Sequence, residues 1–308
     1  MREHAVVRRI IAANAALRGQ PGAEVLVPPG DDMALVSLGG ARVLVAADQV
    51  IEGRHWRAGT PMALVARKAV ARNASDVAAM AGVPACCVAT VALPPDLPDA
   101  EVAALCDGLL AAGREFGCPV VGGDTGMHGA PGSPLVLSVS VLARPGPSGR
   151  VVERRGARAG DALCVTGRLG AAAGFGTDGH HLRFTPRIAE ALALVEALGD
   201  RLRAMIDLSD GLASDAGHLA AAAGIAVEID AASLPCAAGA GWRQAVGTGE
   251  DYELAFAVEG PPPAHAAGTP VTAVGRFVDG PPGCVLLRDA EGVHDITGIG
   301  FEHGRAAP

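Results

Sequence analysis

The stretch Arg72-Asn73-Ala74-Ser75-Asp76-Val77-Ala78-Ala79-Met80-Ala81-Gly82 constrains this chain more than any other. It reads as the last turns of a helix filled with small residues. Gly82 suits a left-handed C-cap, and Pro84 blocks continuation. Val77 and Met80 stand i,i+3 apart and can face a core. Asp76 is then a carboxylate among alanines. Burying it unpaired is very costly, so it needs a cation, a proton or a partner. A solvent-facing Asp is the plain alternative for this residue alone. Aspartate-bearing turns recur along the chain in similar settings, and that recurrence argues for a shared purpose.

The rest of the composition narrows the choices. The chain has 308 residues, enough for one large or two ordinary domains. Half are hydrophobic but only 3% are aromatic, so the core must be made of Ala, Val and Leu. The net charge of −8 argues against nucleic acid as a main partner. Lys68 is the one lysine, and no Gly-Lys-Ser/Thr triplet exists, which excludes a Walker-type P-loop. Seven cysteines without a CxxC pair predict reduced, mostly buried thiols in a cytoplasmic protein, with no zinc site. Met1 to Leu17 reads as an amphipathic helix rather than a signal peptide. No apolar run is long enough to span a bilayer, so no membrane is expected as a partner.

In chain order, strands are expected at Val25–Val27, Met33–Leu38 and Val43–Ala47, with Asp48 ending the last of these. Thr60 as N-cap and Pro61 at the first helical position open the helix carrying Lys68 and Asp76. The apolar strand Val83–Leu93 follows, then a helix capped by Asp99. Next comes a strand at Pro119–Val121 ending in the turn Gly122-Gly123-Asp124-Thr125-Gly126, and a strand at Leu135–Leu142. Residues 144–149 are the best linker. A second α/β pattern comes after it, with strands at Ala162–Val165, Ala204–Ile206, Ile225–Ile229, Tyr252–Val258, Val271–Val278 and Cys284–Leu287.

Asp32, Asp48, Asp76, Asp124, Asp207 and Asp210 share a pattern: most sit at a strand end or in a glycine-rich turn. Carboxylates gathered from several elements, with few lysines nearby, are what hard cations need. Magnesium takes oxygen ligands, keeps waters and is completed by substrate phosphates. Ser209 and Asp210 open a helix, where free N–H groups favour phosphate. Local capping and turn formation explain any single aspartate equally well, but not all six. Gly174-Phe175-Gly176-Thr177-Asp178-Gly179 matches GxGxxG without directly following a strand and is read as chance. His180-His181 is read as a surface turn, and Glu190 and Glu196 as solvated helix residues.

A set of motifs now stands in order: Gly30-Asp31-Asp32, Asp48 with Glu52-Gly53-Arg54-His55, Asn73 to Gly82, and Gly122-Gly123-Asp124-Thr125. Arg154 to Asp161, Val165-Thr166-Gly167, Leu182 to Arg187, Ile206 to Leu212 and Gly249 to Leu254 continue it. With these, the chain resembles the thiamine-monophosphate kinase family, within the superfamily that includes aminoimidazole ribonucleotide synthetase and selenophosphate synthetase. The resemblance implies an α/β (α+β), two-domain fold of the aminoimidazole ribonucleotide synthetase type, with mixed sheets flanked by helices. Residues 1–146 would form the ATP- and metal-binding and dimerisation domain, and residues 147–308 a C-terminal α/β domain.

The implied reaction is ATP- and Mg2+-dependent phosphorylation of thiamine monophosphate to thiamine diphosphate. By the same resemblance Asp32, Asp48, Asp76, Asp124, Asp207 and Asp210 hold several magnesium ions. Asp76, Asp124 and Asp210 are the catalytic set, and Gly123, Asp124, Arg154 and Ser209 meet ATP. His55, Glu250 and Phe301 meet the thiamine phosphate, with Phe301 or Trp56 stacking on the cationic thiazolium. A homodimer pairing the N-terminal strands across a two-fold is expected. Two departures stand out: Ala46-Ala47 replace the hydroxyl residue expected before Asp48, and the segment between Gly170 and His181 is short. The alternatives are a related synthetase or a non-catalytic nucleotide-binding paralogue. Residues 1 to 30 lack the Cys and Lys of selenophosphate synthetase, and a hydrogenase-maturation relative would need a C-terminal Cys that is absent here.

Overall fold

The computed structural model describes residues 3–14, 19–173 and 176–301. The alternating and continuous apolar runs become two mixed sheets, and one long helix lies between them. The first half contains α1 (Glu3–Asn14), β1 (Gly19–Gln20), β2 (Ala23–Val27), β3 (Ala34–Leu38), β4 (Ala41–Ile51), α2 (Met62–Ala79) and β5 (Gly82–Leu93). It continues with α3 (Asp99–Glu115), β6 (Val120–Met127) and β7 (Val136–Pro145). Its strands form a seven-stranded sheet in the order β1-β2-β3-β4-β7-β5-β6, antiparallel except where β5 meets β6.

The second half contains β8 (Ala162–Thr166), α4 (His180–Arg183), α5 (Ile188–Leu198), β9 (Leu202–Asp207), α6 (Leu212–Ala223), β10 (Ala226–Asp230) and α7 (Trp242–Gly247). Then follow β11 (Leu254–Val258), β12 (His265–Ala266), β13 (Thr269–Val278), β14 (Val285–Arg288) and β15 (Val293–Asp295). They give an eight-stranded sheet, β15-β14-β10-β13-β8-β11-β9 with β12 paired to β13. The first sheet is complete at Pro145 and the second begins at Ala162.

α2 is buried almost all round, which its run of Ala and Val permits. It packs on α3 and the first sheet, and its other side meets α5 and β9 of the second half. Close approach to α3 depends on Gly108, where a Cβ would lie 2.8 Å from the Cα of Ala63. Val77 and Met80 are fully buried, as their spacing predicts.

Several boundaries differ from the sequence reading. α2 starts at Met62 with Pro61 before it, and the Thr60 hydroxyl donates to the Arg57 carbonyl instead of capping the helix. The left-handed residue after α2 is Ala81 (φ 53°), and Gly82 already belongs to β5. Packing accounts for a glycine there, since a Cβ would meet Leu44 at 2.8 Å and Val77 at 3.0 Å. β4 does not stop at Asp48 but runs on to Ile51, because its ladder to β7 continues to Val136. Pro98 precedes α3, and Asp99 is its first residue. Gly122-Gly123-Asp124-Thr125 is not a turn; it lies inside β6, the exposed edge of the first sheet. Glu190 is not solvated: it is buried, bonded to Arg187 and to the Thr269 hydroxyl, whereas Glu196 is exposed. His180-His181 is not a surface turn but part of α4, with His181 fully buried. Part of the GxGxxG stretch, Gly174 and Phe175, lies outside the described residues.

Candidate active site

One side of α2 builds the site. Lys68, Arg72, Ser75 and Asp76 follow one another at i, i+4, i+7 and i+8 and so share a face. Each reaches a residue on another element. Lys68 Nζ donates to Glu250 Oε1 at 2.6 Å and to the His55 carbonyl at 2.7 Å. Arg72 Nε lies 3.2 Å from Asp48 Oδ2 on β4. The Ser75 hydroxyl donates to Asp207 Oδ2 at 2.6 Å, at the C-terminal end of β9.

Asp76 completes a cluster. Carboxylate oxygens of Asp32, Asp76 and Asp207 lie within 4.8 Å of one another. Burial raises the Asp76 carboxyl well above its usual range, and the charges of Asp48, Asp207 and Asp32 push it further. Burial likewise lifts Asp207 to about 7, with Asp32 adding to the push and the Ser75 hydroxyl opposing it. These carboxylates crowd together with too little positive charge among them. Arg154 donates to Asp32 Oδ1, and its backbone N–H donates to Asp31 Oδ2 at 3.0 Å. The other Asp32 oxygen is buried with no hydrogen-bond partner among the described residues. Hard oxygen donors from three separate elements, one of them unsatisfied, fit magnesium well.

The residues expected to meet the acceptor are linked to one another through Lys68 and Arg54. His55 is buried, and its Nδ1 accepts the Ile51 N–H at 2.9 Å, which leaves the Nε2 position for the proton. Glu250 sits in the left-handed region (φ 66°), and its N–H donates to the Ser209 carbonyl at 2.8 Å. The Phe301 N–H donates to the Asp210 carbonyl at 2.9 Å, and the Arg54 guanidinium lies 4.6 Å from its ring centre. Lys68 joins His55 to Glu250, and Arg54, next to His55, reaches Phe301. Trp56 is 1% exposed in the core of the first half, so burial removes it as a stacking partner for thiazolium.

The other expected residues spread further. Ser209 and Asp210 form the turn before α6, and Asp215 in the first turn of that helix holds the approach: its Oδ2 accepts from the Asp210 and Gly211 N–H groups at 3.1 Å each. Asp210 groups with Asp215 and His218 rather than with Asp76. Asp124 and Gly123 are exposed on β6. The ladders align Gly123 with Ala89, Val139 and Asp48, and Asp124 with Thr90, Ser138 and Gln49. Neighbours on one ladder level share a face, so Asp124 points to the opposite side of the sheet from Asp48. Within one chain it does not join the Asp32–Asp76–Asp207 group. Sequence reasoning gave no role to Lys68, Arg72, Ser75 or Asp215. The signal for the first three was their helical spacing from Asp76, and for Lys68 also its being the one lysine.

Comparison with known proteins shows which family the chain resembles. Residues 30–144 match the family model for the AIR synthase related protein, N-terminal domain. A thiamine-monophosphate kinase of Mycobacterium tuberculosis is 36% identical over 305 residues, covering 91% of this chain and 86% of the relative. One from Escherichia coli K12 is 32% identical over 308 residues, covering 89% and 90%. Among solved structures, AaThiL complexed with AMPPCP and TMP superposes with a TM-score of 0.80 at 27% identity, covering 98% of this chain and 97% of that one.

Proposed function

The chain belongs to the thiamine-monophosphate kinase family, and from that premise we propose how its residues move the γ-phosphoryl group of ATP onto thiamine monophosphate, giving thiamine diphosphate and ADP. The observation that carries this reading is that one face of α2 reaches both the Asp32–Asp76–Asp207 cluster, through Ser75 and Asp76, and the His55–Glu250 pair, through Lys68. An acceptor phosphate oxygen forms a bond to the γ-phosphorus, and the bridging oxygen leaves on ADP with its electron pair. The acceptor phosphate is already ionised, so no strong base is required. What remains is to bring two polyanions together in line and to neutralise their charge.

Asp32, Asp48, Asp76 and Asp207 would hold magnesium, with Asp210 holding a further ion. Bound there, magnesium supplies the positive charge that balances both phosphates as the bond is exchanged. Arg154 and Ser209 face the nucleotide phosphates. His55 and Glu250 orient the acceptor, and Phe301 offers a ring face to its cationic thiazolium. Residues 1–146 and 147–308 act as two domains, the second resting on α2 of the first through α5 and β9. Seven free thiols suit a reducing cytoplasm, and no helix among the described residues is long and apolar enough to cross a membrane.

We further propose a homodimer formed through the first sheet. β6 ends the sheet with an open edge, and Val121 and Met127 on it are 64% and 69% exposed. Leu38 and Val45 are exposed on the strands of the same sheet. Pairing would also bring Gly123 and Asp124 of one copy within reach of a second copy's site, giving those two residues a place in the reaction. Light scattering at micromolar concentration is expected to give twice the chain mass, and a stable monomer would contradict the proposal.

The test of the reaction is product analysis after incubation with Mg-ATP and thiamine monophosphate. Thiamine diphosphate and ADP are expected in equal amounts. AMP in place of ADP would favour a related synthetase, and no product above background would favour a non-catalytic paralogue.

A further inference from the structure

We infer that Lys68 is a positioning residue for the phosphate acceptor. It locks the Glu250 carboxylate to the His55 main chain, so that both halves of the molecule present the acceptor site in one geometry. The inference rests on His55 and Glu250 meeting the acceptor, as proposed above.

The chain spends its one lysine at a position with no solvent exposure, in the middle of α2. Burial pulls the ammonium down to about 8, with the Glu250 charge opposing that fall. A buried ammonium is costly unless its donors are used, and here Glu250 and the His55 carbonyl take two of the three at 2.6 and 2.7 Å. Glu250 is separated from Lys68 by 182 residues, and His55 by 13, so the ammonium ties the second half to the first. The Glu250 side chain keeps 19% exposure, so its carboxylate is anchored by one oxygen yet still reaches solvent.

The backbone around Glu250 is constrained in the same sense. Residue 250 adopts φ 66°, and its N–H is fixed to Ser209, beside the turn that leads to Asp210 and Phe301. Backbone geometry therefore aims the side chain, and Lys68 stops its last torsions from wandering. Arginine would not substitute simply, because its planar fork needs more room than a compact ammonium. Lys68 has no solvent exposure and bonds Glu250 and the His55 carbonyl, so it acts through those two residues.

Steady-state kinetics on Lys68→Met, Glu250→Gln and the double variant test the inference. The wild type is measured first with Mg-ATP and thiamine monophosphate; its failure to turn over would overturn the functional reading itself. Given wild-type turnover, Lys68→Met is expected to raise KM for thiamine monophosphate by about tenfold or more, the scale of a lost charge-assisted bond, while KM for ATP changes by less than about twofold. The double variant is expected to be no worse than Glu250→Gln by more than about twofold, because Lys68 works through Glu250. If Lys68→Met does not fold, Lys68→Gln, which keeps a donor for the His55 carbonyl, is read in the same way. Equal losses for both substrates, an unchanged acceptor KM, or full additivity with Glu250→Gln would each overturn the inference.

Discussion

Asp76→Asn is expected to lower turnover by about a thousandfold or more and at the same time to raise the melting temperature of the metal-free protein. The first effect follows from position. Asp76 is the member of the Asp32–Asp76–Asp207 group that lies on the helix joining both halves, and losing one electrostatic stabiliser of a charged transition state costs roughly 10²–10³ in rate even outside a metal site. Losing a ligand for a hard cation removes more. Asparagine keeps the shape and one oxygen but not the charge that holds magnesium.

The second effect has the opposite sign because Asp76 is held in place at a cost. Burial and three neighbouring aspartates raise its carboxyl well above the usual range, and Asp207 beside it titrates near 7. For acids raised in this way, the folded state holds protons more tightly than the unfolded chain. The resulting stabilisation is complete below about pH 4, the ordinary carboxylate range, and is lost as pH rises through about 7. The metal-free wild type should therefore melt at progressively lower temperature across that window. Asp76→Asn should flatten the slope, with each kcal/mol of relieved repulsion worth roughly 2–4 °C. Calorimetry in chelator at pH 5 and pH 8 reads both predictions. Near-normal activity in Asp76→Asn would reduce Asp76 to an ordinary helix residue.

What was legible beforehand, and what was not, follows the distance over which a residue finds its partner. Most strands of both sheets show in the sequence as alternating or continuous runs of Val, Leu and Ala, a local signal; the short strands β1, β12 and β15 carry no such run and are not expected from it. Asp32, Asp76 and Asp207 stood out because each is a carboxylate in an apolar or glycine-rich setting, and the structure gathers them. Their supporting residues did not stand out. Ser75 reads as a small helix residue until Asp207, 132 positions later, takes its hydroxyl hydrogen. Glu190 reads as solvated until Thr269, 79 positions later, covers it. His181 joins the same class, buried by tertiary packing that no local pattern announces.

Other differences are matters of register. By sequence Asp48 reads as the end of a strand and Asp124 as part of a glycine-rich turn. Both sit within ladders, and a shift of one ladder level is enough to put them on opposite faces of the first sheet. Ala81 takes the left-handed conformation that glycine usually serves, while Gly82 is needed for space against Leu44 and Val77. Propensity rules rank residues by backbone freedom alone and cannot weigh that steric demand.

Carboxylate-held magnesium is expected to join two phosphates at this site. Four parallel reactions with the purified chain test it most directly: thiamine monophosphate or free thiamine as acceptor, each with Mg-ATP or with ATP in excess chelator. Thiamine diphosphate should form only from thiamine monophosphate with magnesium. Free thiamine lacks the phosphate that the Asp32–Asp76–Asp207 site would orient, and should be slower by about two orders of magnitude or more. Chelation should stop the reaction, and added magnesium should restore it. Undiminished turnover in chelator, or comparable transfer to the hydroxyl of free thiamine, would contradict the account.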